Sequence, residues 1–108
     1  MVRQIHPAML AEKLQNNEAV YLLDVRLPWE HETAALPNSM LIPLHELSSR
    51  VDEVEVEKSA FVVVYCHHGV RSLSGAAILE NAGFQNVVSL AGGIDLWSDV
   101  VDPKVPKY

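Results

Sequence analysis

Four short apolar runs, separated by segments with helical spacing, constrain the fold of this chain more than any other feature. The runs lie at residues 20–25, 40–42, 61–65 and 87–90, and they are apolar at consecutive rather than alternate positions. Strands of this kind are buried on both faces, as in a parallel sheet covered by helices. The sequence therefore predicts an α/β domain of three layers, with a mostly parallel central sheet of about five short strands and helices on both faces.

Helices are predicted between these runs from the spacing of apolar residues. One begins at Pro7 and ends at Asn16 and Asn17, after a short extended lead at residues 5–7. The others are expected at residues 29–35, 44–51, 73–81 and 94–100. With 108 residues and no visible linker or repeat, the chain is expected to form a single domain over residues 1–108.

The charge balance limits the partners of this chain. The formal net charge is −6, and the eight Lys and Arg residues are scattered. Nucleic acid and anionic membranes bind clustered basic residues, so neither is expected as a partner. No run is long and apolar enough to span a bilayer, and the N-terminal segment lacks the apolar stretch of a signal peptide. We expect a soluble, cytoplasmic protein that holds any small anionic substrate at a local site.

The only cysteine lies where such a sheet places its ligands. Cys66 follows the run at residues 61–65 and opens a turn, residues 66–72, that leads into a predicted helix. We call residues 66–72 the cysteine loop. Ligands of open α/β sheets bind at the carboxyl ends of strands. Turn N–H groups and a helix N-terminus favour a thiolate, which is the nucleophilic form of cysteine.

The composition of the cysteine loop favours a reactive thiol over a buried, inert one. Free cysteines taken alone are commonly buried, but a glycine, an arginine and two histidines make poor core material. Gly69 allows the turn to close, Arg71 adds a positive charge, and Ser72 is expected to cap the following helix. His67 and His68 either donate hydrogen bonds and charge to a substrate or have no role.

A single cysteine also restricts the chemistry. It excludes an internal disulfide, a Cys₂-type zinc site and an internal resolving thiol. The adjacent histidines do not have the spacing of metal ligands. We therefore predict no metal and no cofactor, and we expect another molecule to complete any reaction at Cys66.

Asp24 and Arg26 follow a predicted buried strand at the same edge of the sheet. They form either an exposed pair of little energetic value or a brace for the cysteine loop, which Glu30 joins. We favour the brace. Trp29 and Trp97 are interpreted as packing residues, and the remaining histidines as solvated or structural: His6, His31 and His45.

Four motifs, in their order and spacing, resemble a single-domain rhodanese from about Ile5 to the tail. They are Leu22-Leu23-Asp24-Val25-Arg26 with Glu30, Ile42-Pro43-Leu44, Val64-Tyr65-Cys66-x-x-Gly69-x-Arg71-Ser72, and Leu90-x-Gly92-Gly93-x-x-x-Trp97. The closing residues Val105-Pro106-Lys107-Tyr108 are also similar to tails of this family. One segment departs from the family pattern: residues 34–39 read Ala-Ala-Leu-Pro-Asn-Ser, where many relatives carry Gly-His-Ile-Pro-Gly-Ala.

The resemblance implies a sulfurtransferase with Cys66 as nucleophile and sulfur carrier. Its persulfide takes sulfur from a donor such as thiosulfate and passes it to cyanide, a thiol or a protein acceptor. The resemblance also implies which residues surround the transferred sulfur and bind substrate: His67, His68, Gly69, Val70, Arg71 and Ser72.

Three other functions remain open from the residues. A cysteine-based phosphatase or arsenate reductase usually has the pattern Cys-x₅-Arg, whereas Cys66 and Arg71 form Cys-x₄-Arg, which makes a smaller anion cradle. A non-catalytic interaction module is disfavoured by the intact cysteine loop. A redox sensor would require a thiol from a partner.

Overall fold

A five-stranded parallel sheet forms the centre of the computed structural model, which describes residues 2–108. The strands are β1 (Arg3–Ile5), β2 (Tyr21–Asp24), β3 (Met40–Leu41), β4 (Phe61–Tyr65) and β5 (Asn86–Leu90). Their spatial order is β1-β5-β4-β2-β3, and every neighbouring pair is parallel. The predicted α/β class is confirmed. The extended segment lies earlier than the predicted lead at residues 5–7: strand β1 ends at Ile5 and pairs with β5 at the edge of the sheet, and Pro7 already belongs to a helix.

In the part of the chain that the structure describes, five helices cover the sheet, together with one 3₁₀ turn, Val51–Glu53. The helices are α1 (Pro7–Gln15), α2 (Pro28–Thr33), α3 (Leu44–Arg50), α4 (Arg71–Asn81) and α5 (Gly93–Val100). Helices α3 and α4 contact each other, as do α1 and α5. Among residues 2–108, no helix combines the length and the apolar character that crossing a bilayer requires.

The hydrophobic core has two halves, one on each face of the sheet. Successive residues of a strand point to opposite faces, and in β4 Val62 and Val64 belong to one half while Val63 and Tyr65 belong to the other. Both halves are closed over by helices, which explains why the strands are apolar at consecutive positions.

The carboxyl ends of the strands bring the predicted site residues to one edge. Asp24 at the end of β2 is in register with Tyr65 at the end of β4, and Val64 is in register with Ser89 of β5. Cys66 and the turn that contains Gly92 therefore follow neighbouring strands at the same edge of the sheet.

Candidate active site

The Cys66 sulfur lies among backbone N–H groups of the cysteine loop. Gly69 N–H donates to Sγ at 3.1 Å, and Ser72 N–H, from the first turn of α4, donates at 3.3 Å. Cys66 is only 1% exposed. The thiol is therefore buried, but its surroundings include two N–H donors that stabilise negative charge on sulfur.

Ser72 does not cap α4, so that prediction is wrong. The N-cap residue of α4 is Val70, which makes no side-chain capping bond. The Ser72 hydroxyl instead lies 2.7 Å from the Ser89 hydroxyl and accepts from the Cys66 thiol at 3.5 Å. Both serines are fully buried, so a polar pair from α4 and β5 forms one wall beside the sulfur.

The first turn of α5 holds the cysteine loop through hydrogen bonds to its backbone carbonyls. The Ile94 N–H donates to Cys66 O at 2.9 Å, and the Asp95 N–H donates to His67 O at 3.0 Å. The first N–H groups of a helix lack partners within the helix, so the carbonyls of the loop satisfy them. Gly93, with φ +62°, lies directly beneath these carbonyls.

His67 is enclosed by aromatic rings. Its ring stacks on Tyr108 at a centroid distance of 4.0 Å and on His68 at 3.9 Å. Burial, together with the neighbouring charge of His68, lowers the pKa of His67. Both effects disfavour the charged form of the His67 ring. The side chain of His68 is 64% exposed.

His67, His68 and Asp95 place possible metal-ligand atoms within 4.8 Å of one another. Their present arrangement does not suit an ion. The two imidazole planes are only 24° from parallel, and the in-plane lone pairs of parallel, stacked rings do not converge on one point. The Lys107 ammonium also lies 3.4 Å from the Asp95 carboxylate.

Asp24 and Arg26 form a fully buried ion pair. Arg26 Nε and Nη2 donate to the two carboxylate oxygens of Asp24 at 2.8 and 2.7 Å. The Asp24 carboxylate also accepts the Arg26 backbone N–H and lies 2.8 Å from His31 Nδ1. Burial opposes the charge of Arg26, but hydrogen bonds to Asp24 and Tyr108 raise its pKa. His31, interpreted from the sequence as solvated or structural, thus belongs to this buried network.

Glu30 and Arg71 form a second ion pair, which reaches the cysteine loop directly. Arg71 Nη1 and Nη2 donate to the two oxygens of Glu30 at 2.7 and 2.9 Å. Glu30 is 3% exposed, and the hydrogen bonds from Arg71 lower its pKa to about 2. This paired geometry holds the first residue of α4 against helix α2.

Tyr108 connects the two ion pairs. Its hydroxyl accepts from Arg26 Nη1 at 2.6 Å and donates to Glu30 Oε2 at 2.8 Å. Burial is the main reason why the pKa of Tyr108 is raised to about 12, so the hydroxyl stays protonated and can donate. Arg26 thus reaches Glu30 through the Tyr108 hydroxyl, whereas Glu30 binds Arg71 of the cysteine loop directly.

The two tryptophans have different roles. Trp97 is 6% exposed and packs in the core with α5, as predicted. Trp29 also packs against another ring, since it meets Tyr108 edge-on at 5.5 Å, but it is 56% exposed and lies outside the core. Helix α2 has six residues, and the residue that it buries is Glu30.

The family assignment follows from comparison with known proteins. The family model of the rhodanese-like domain matches residues 6–100. The chain belongs to the rhodanese-like domain family.

Individual rhodanese-like relatives match nearly the whole chain. A sulfurtransferase of Allochromatium vinosum is 34% identical, with 91% of this chain and 90% of the relative covered. The thiosulfate sulfurtransferase GlpE of Pseudomonas syringae is 37% identical, with 84% and 83% covered. The crystal structure of a rhodanese-related protein from Thermoplasma volcanium superposes with a TM-score of 0.79 at 33% identity, covering 96% of this chain and 95% of that one.

The segment that departs from the rhodanese pattern contains a residue with positive φ. Asn38 stands where many relatives carry a glycine, and it adopts φ +62°, a left-handed conformation that asparagine tolerates better than most residues. The buried Tyr65 hydroxyl anchors the segment, since it accepts from Leu36 N–H at 3.1 Å and lies 2.7 Å from Ser39 Oγ.

Neither Tyr108 nor Ser89 was predicted from the sequence to be a neighbour of the cysteine loop. Ser89 could have been predicted as a site residue, because it is a polar residue in the apolar run 87–90 at the ligand-binding edge of the sheet. For Tyr108 the sequence offered only the similarity of residues 105–108 to tails of the family. Its partner Glu30 is 78 residues away in the chain, so no local pattern links the two.

Gly93→Ala is expected to destabilise the protein strongly. An alanine Cβ would lie 2.5 Å from Cys66 O and still closer to His67 O. The left-handed backbone costs a non-glycine residue about 1–2 kcal/mol, and overpacking adds about 1–3 kcal/mol. Urea denaturation measures the sum.

Gly83→Ala is the matched control. Gly83 also has positive φ, at +102°, but the nearest atom to its Cβ would be Lys58 Cδ at 4.0 Å. This variant therefore carries the backbone strain without the clash. Equal losses of stability in the two variants would contradict the view that the close approach of the Cys66 and His67 carbonyls requires a glycine at position 93.

Proposed function

We propose that this chain is a sulfurtransferase that carries a sulfane sulfur as a persulfide on Cys66. The observation that carries the proposal is the pair of N–H donors, from Gly69 and Ser72, directed at Sγ at 3.1 and 3.3 Å. These donors favour an anionic, nucleophilic sulfur. The relatives named as sulfurtransferases, 34% and 37% identical over most of both chains, support the same function.

The proposed reaction has two displacement steps, as in other covalent catalysis with a carrier nucleophile. The Cys66 thiolate attacks the outer sulfur of a donor such as thiosulfate. The S–S bond of the donor breaks, sulfite leaves with the electron pair, and Cys66 becomes a persulfide. A thiolate, cyanide or a protein thiolate then attacks the outer sulfur, takes it away and regenerates the Cys66 thiolate. Both steps balance without a metal, a cofactor or an external oxidant.

The residues around Cys66 take separate roles in this proposal. The loop residues at positions 67–72 contact the donor, with the free N–H groups of Arg71 available as hydrogen-bond donors to its oxygens. Asp24, Arg26 and Glu30 are positioning residues that hold Arg71 and Tyr108. The buried sulfur, 1% exposed, requires the loop to open locally before a donor reaches it. We place the reaction in the cytoplasm, where free thiols stay reduced.

Intact-mass measurement tests the proposal. The purified protein is incubated with thiosulfate, with a thiosulfonate and with an organic persulfide, each followed by removal of the donor. We expect a mass gain of one sulfur atom, which cyanide or a thiol then removes with formation of thiocyanate or a new persulfide. No gain with any of the three donors would contradict sulfur carriage.

The phosphatase alternative gives an opposite result in a second assay. Cys-x₄-Arg is one residue shorter than the usual phosphate loop, and Arg71 is already bound to Glu30. We expect no hydrolysis of an aryl phosphate. Hydrolysis that disappears in Cys66→Ala would favour a phosphatase over a sulfurtransferase.

A further inference from the structure

The fixed positive charge of the cysteine loop is already neutralised within the protein. Arg71 directs two of its five N–H groups at the Glu30 carboxylate. Its side chain remains 36% exposed, so the other N–H groups can still reach a molecule that approaches Cys66. Arg71 therefore offers hydrogen bonds to a donor but no uncompensated charge.

Glu30 is built to remain an anion in this position. Oε1 accepts from Leu27 N–H at 3.0 Å and from Arg71 Nη1, while Oε2 accepts from Arg71 Nη2 and from the Tyr108 hydroxyl at 2.8 Å. Four hydrogen bonds to a carboxylate that is 3% exposed leave it little freedom to turn away. Its pKa of about 2 keeps it charged throughout the neutral range.

Two other cations near the loop, Arg26 and Lys107, are also paired with carboxylates. Arg26 is matched by Asp24 at 2.7 Å. Lys107 lies 3.4 Å from Asp95 and 2.7 Å from Asp99. The chain as a whole carries −6. An approaching dianion therefore gains little Coulomb attraction from these cations, because each of them already has a carboxylate beside it.

We infer that Glu30 is a specificity-determining residue: by neutralising Arg71 it selects sulfur donors with a single negative charge, such as thiosulfonates and organic persulfides, against the thiosulfate dianion. The inference rests on the proposed function and concerns the donor side of the same site. In the donor step the Cys66 thiolate takes the outer sulfur of a thiosulfonate, its S–S bond breaks, and a sulfinate leaves with the electron pair. Thiosulfate differs in that its leaving group, sulfite, carries one more negative charge.

Glu30→Gln tests the inference, because it removes the charge of Glu30 and keeps its shape. The rate of persulfide formation is measured with thiosulfate and with benzenethiosulfonate, which deliver the same atom but differ by one charge. Iodoacetamide, a neutral reagent, measures any general change in the reactivity of Cys66. For each variant, the rate with each donor is divided by the rate of modification with iodoacetamide, and this quotient is the corrected rate. We expect the corrected rate to rise about tenfold with thiosulfate and about threefold with benzenethiosulfonate, since the attraction is twice as large for the dianion.

Glu18→Gln is the charge-matched control. Glu18 pairs with Lys13 at 3.3 Å and precedes β2, at the opposite edge of the sheet from Cys66. It raises the net charge by the same amount as Glu30→Gln. We expect the ratio of the two donor rates to be unchanged. A shift in the Glu18→Gln ratio equal to that in Glu30→Gln would overturn the inference, because net charge alone would then explain it.

The salt dependence of the unmodified protein keeps the inference falsifiable even if Glu30→Gln does not fold. Between about 20 mM and about 500 mM KCl, screening weakens any attraction of thiosulfate to an uncompensated arginine. We expect the thiosulfate rate to stay level or to rise. A fall of more than about threefold in the thiosulfate rate of the unmodified protein would overturn the inference. Equal increases in the corrected rates of the two donors in Glu30→Gln would also overturn it.

The proposed function and the role of Glu30 are contradicted by different results. If no donor adds sulfur to Cys66 while iodoacetamide still modifies it, sulfur carriage and donor selection are both refuted. If both donors add sulfur but Glu30→Gln changes their corrected rates equally, only the charge role of Glu30 is refuted.

Discussion

Cys66→Ser is expected to abolish sulfur loading and transfer, with a rate loss of at least about 10⁴-fold, as for removal of other catalytic nucleophiles. Serine keeps the size of the side chain and can still accept the N–H groups of Gly69 and Ser72, which lie 3.1 and 3.3 Å from Sγ. Its hydroxyl is a far weaker nucleophile than a thiolate at neutral pH. The intact mass after incubation with donor, and thiocyanate formation with cyanide, measure the loss.

Thermal unfolding of the same variant separates chemistry from folding. Cys66 belongs to the core, so a loss of activity with an unchanged melting temperature assigns the effect to the sulfur itself. Ser72→Ala is a useful companion, because it removes the hydroxyl beside the sulfur while leaving the backbone N–H in place. Retention of loading in Cys66→Ser would exclude Cys66 as the carrier.

Arg26→Met is expected to produce the largest loss of stability, about 3–5 kcal/mol. The substitution leaves the Asp24 carboxylate, which is fully buried, without the two guanidinium hydrogen bonds at 2.8 and 2.7 Å. It also removes the donor to Ala34 O and to the Tyr108 hydroxyl. Such a loss is a large part of the 5–15 kcal/mol by which domains of this kind are stable. Urea denaturation at neutral pH measures it.

Arg50→Met is the control for burial. Arg50 makes equally short contacts, at 2.7 Å to Glu46 and 2.8 Å to Glu53, but all three side chains are partly exposed. Water solvates the carboxylates once the arginine is gone, so we expect a loss that is a small fraction of the loss in Arg26→Met. Similar losses in the two variants would show that burial of the Asp24–Arg26 pair contributes little.

Residues near one another in the chain were predicted well. The consecutive apolar positions of β4 indicated a strand covered on both faces, and Val62 to Tyr65 alternate between the two halves of the core. The turn after β4 was predicted to direct N–H groups at Cys66, and Gly69 and Ser72 do so. These features depend on hydrophobic periodicity and on turn chemistry, both of which act over a few residues.

The features of the site that were not predicted concern side chains whose partners are distant in the chain. The Ser72 hydroxyl faces Ser89, 17 residues away, because α4 lies against the end of β5. Trp29 is exposed because the short helix α2 turns Glu30, and not the tryptophan, towards the protein. Local propensity does not decide which of two neighbouring side chains is buried when a remote charge, here Arg71, is the partner.

The amino-acid sequence by itself determined the alternation of strands and helices, the edge at which Cys66 lies and the N–H groups around its sulfur, since each arises from contacts within one element or turn. Only the tertiary structure decided that Tyr108 joins Arg26 to Glu30 and that Glu30 neutralises Arg71. Those partners meet because the sheet order β1-β5-β4-β2-β3 brings distant segments to one edge. A buried charge takes whichever opposite charge the packing places beside it, and that choice is made by the whole fold.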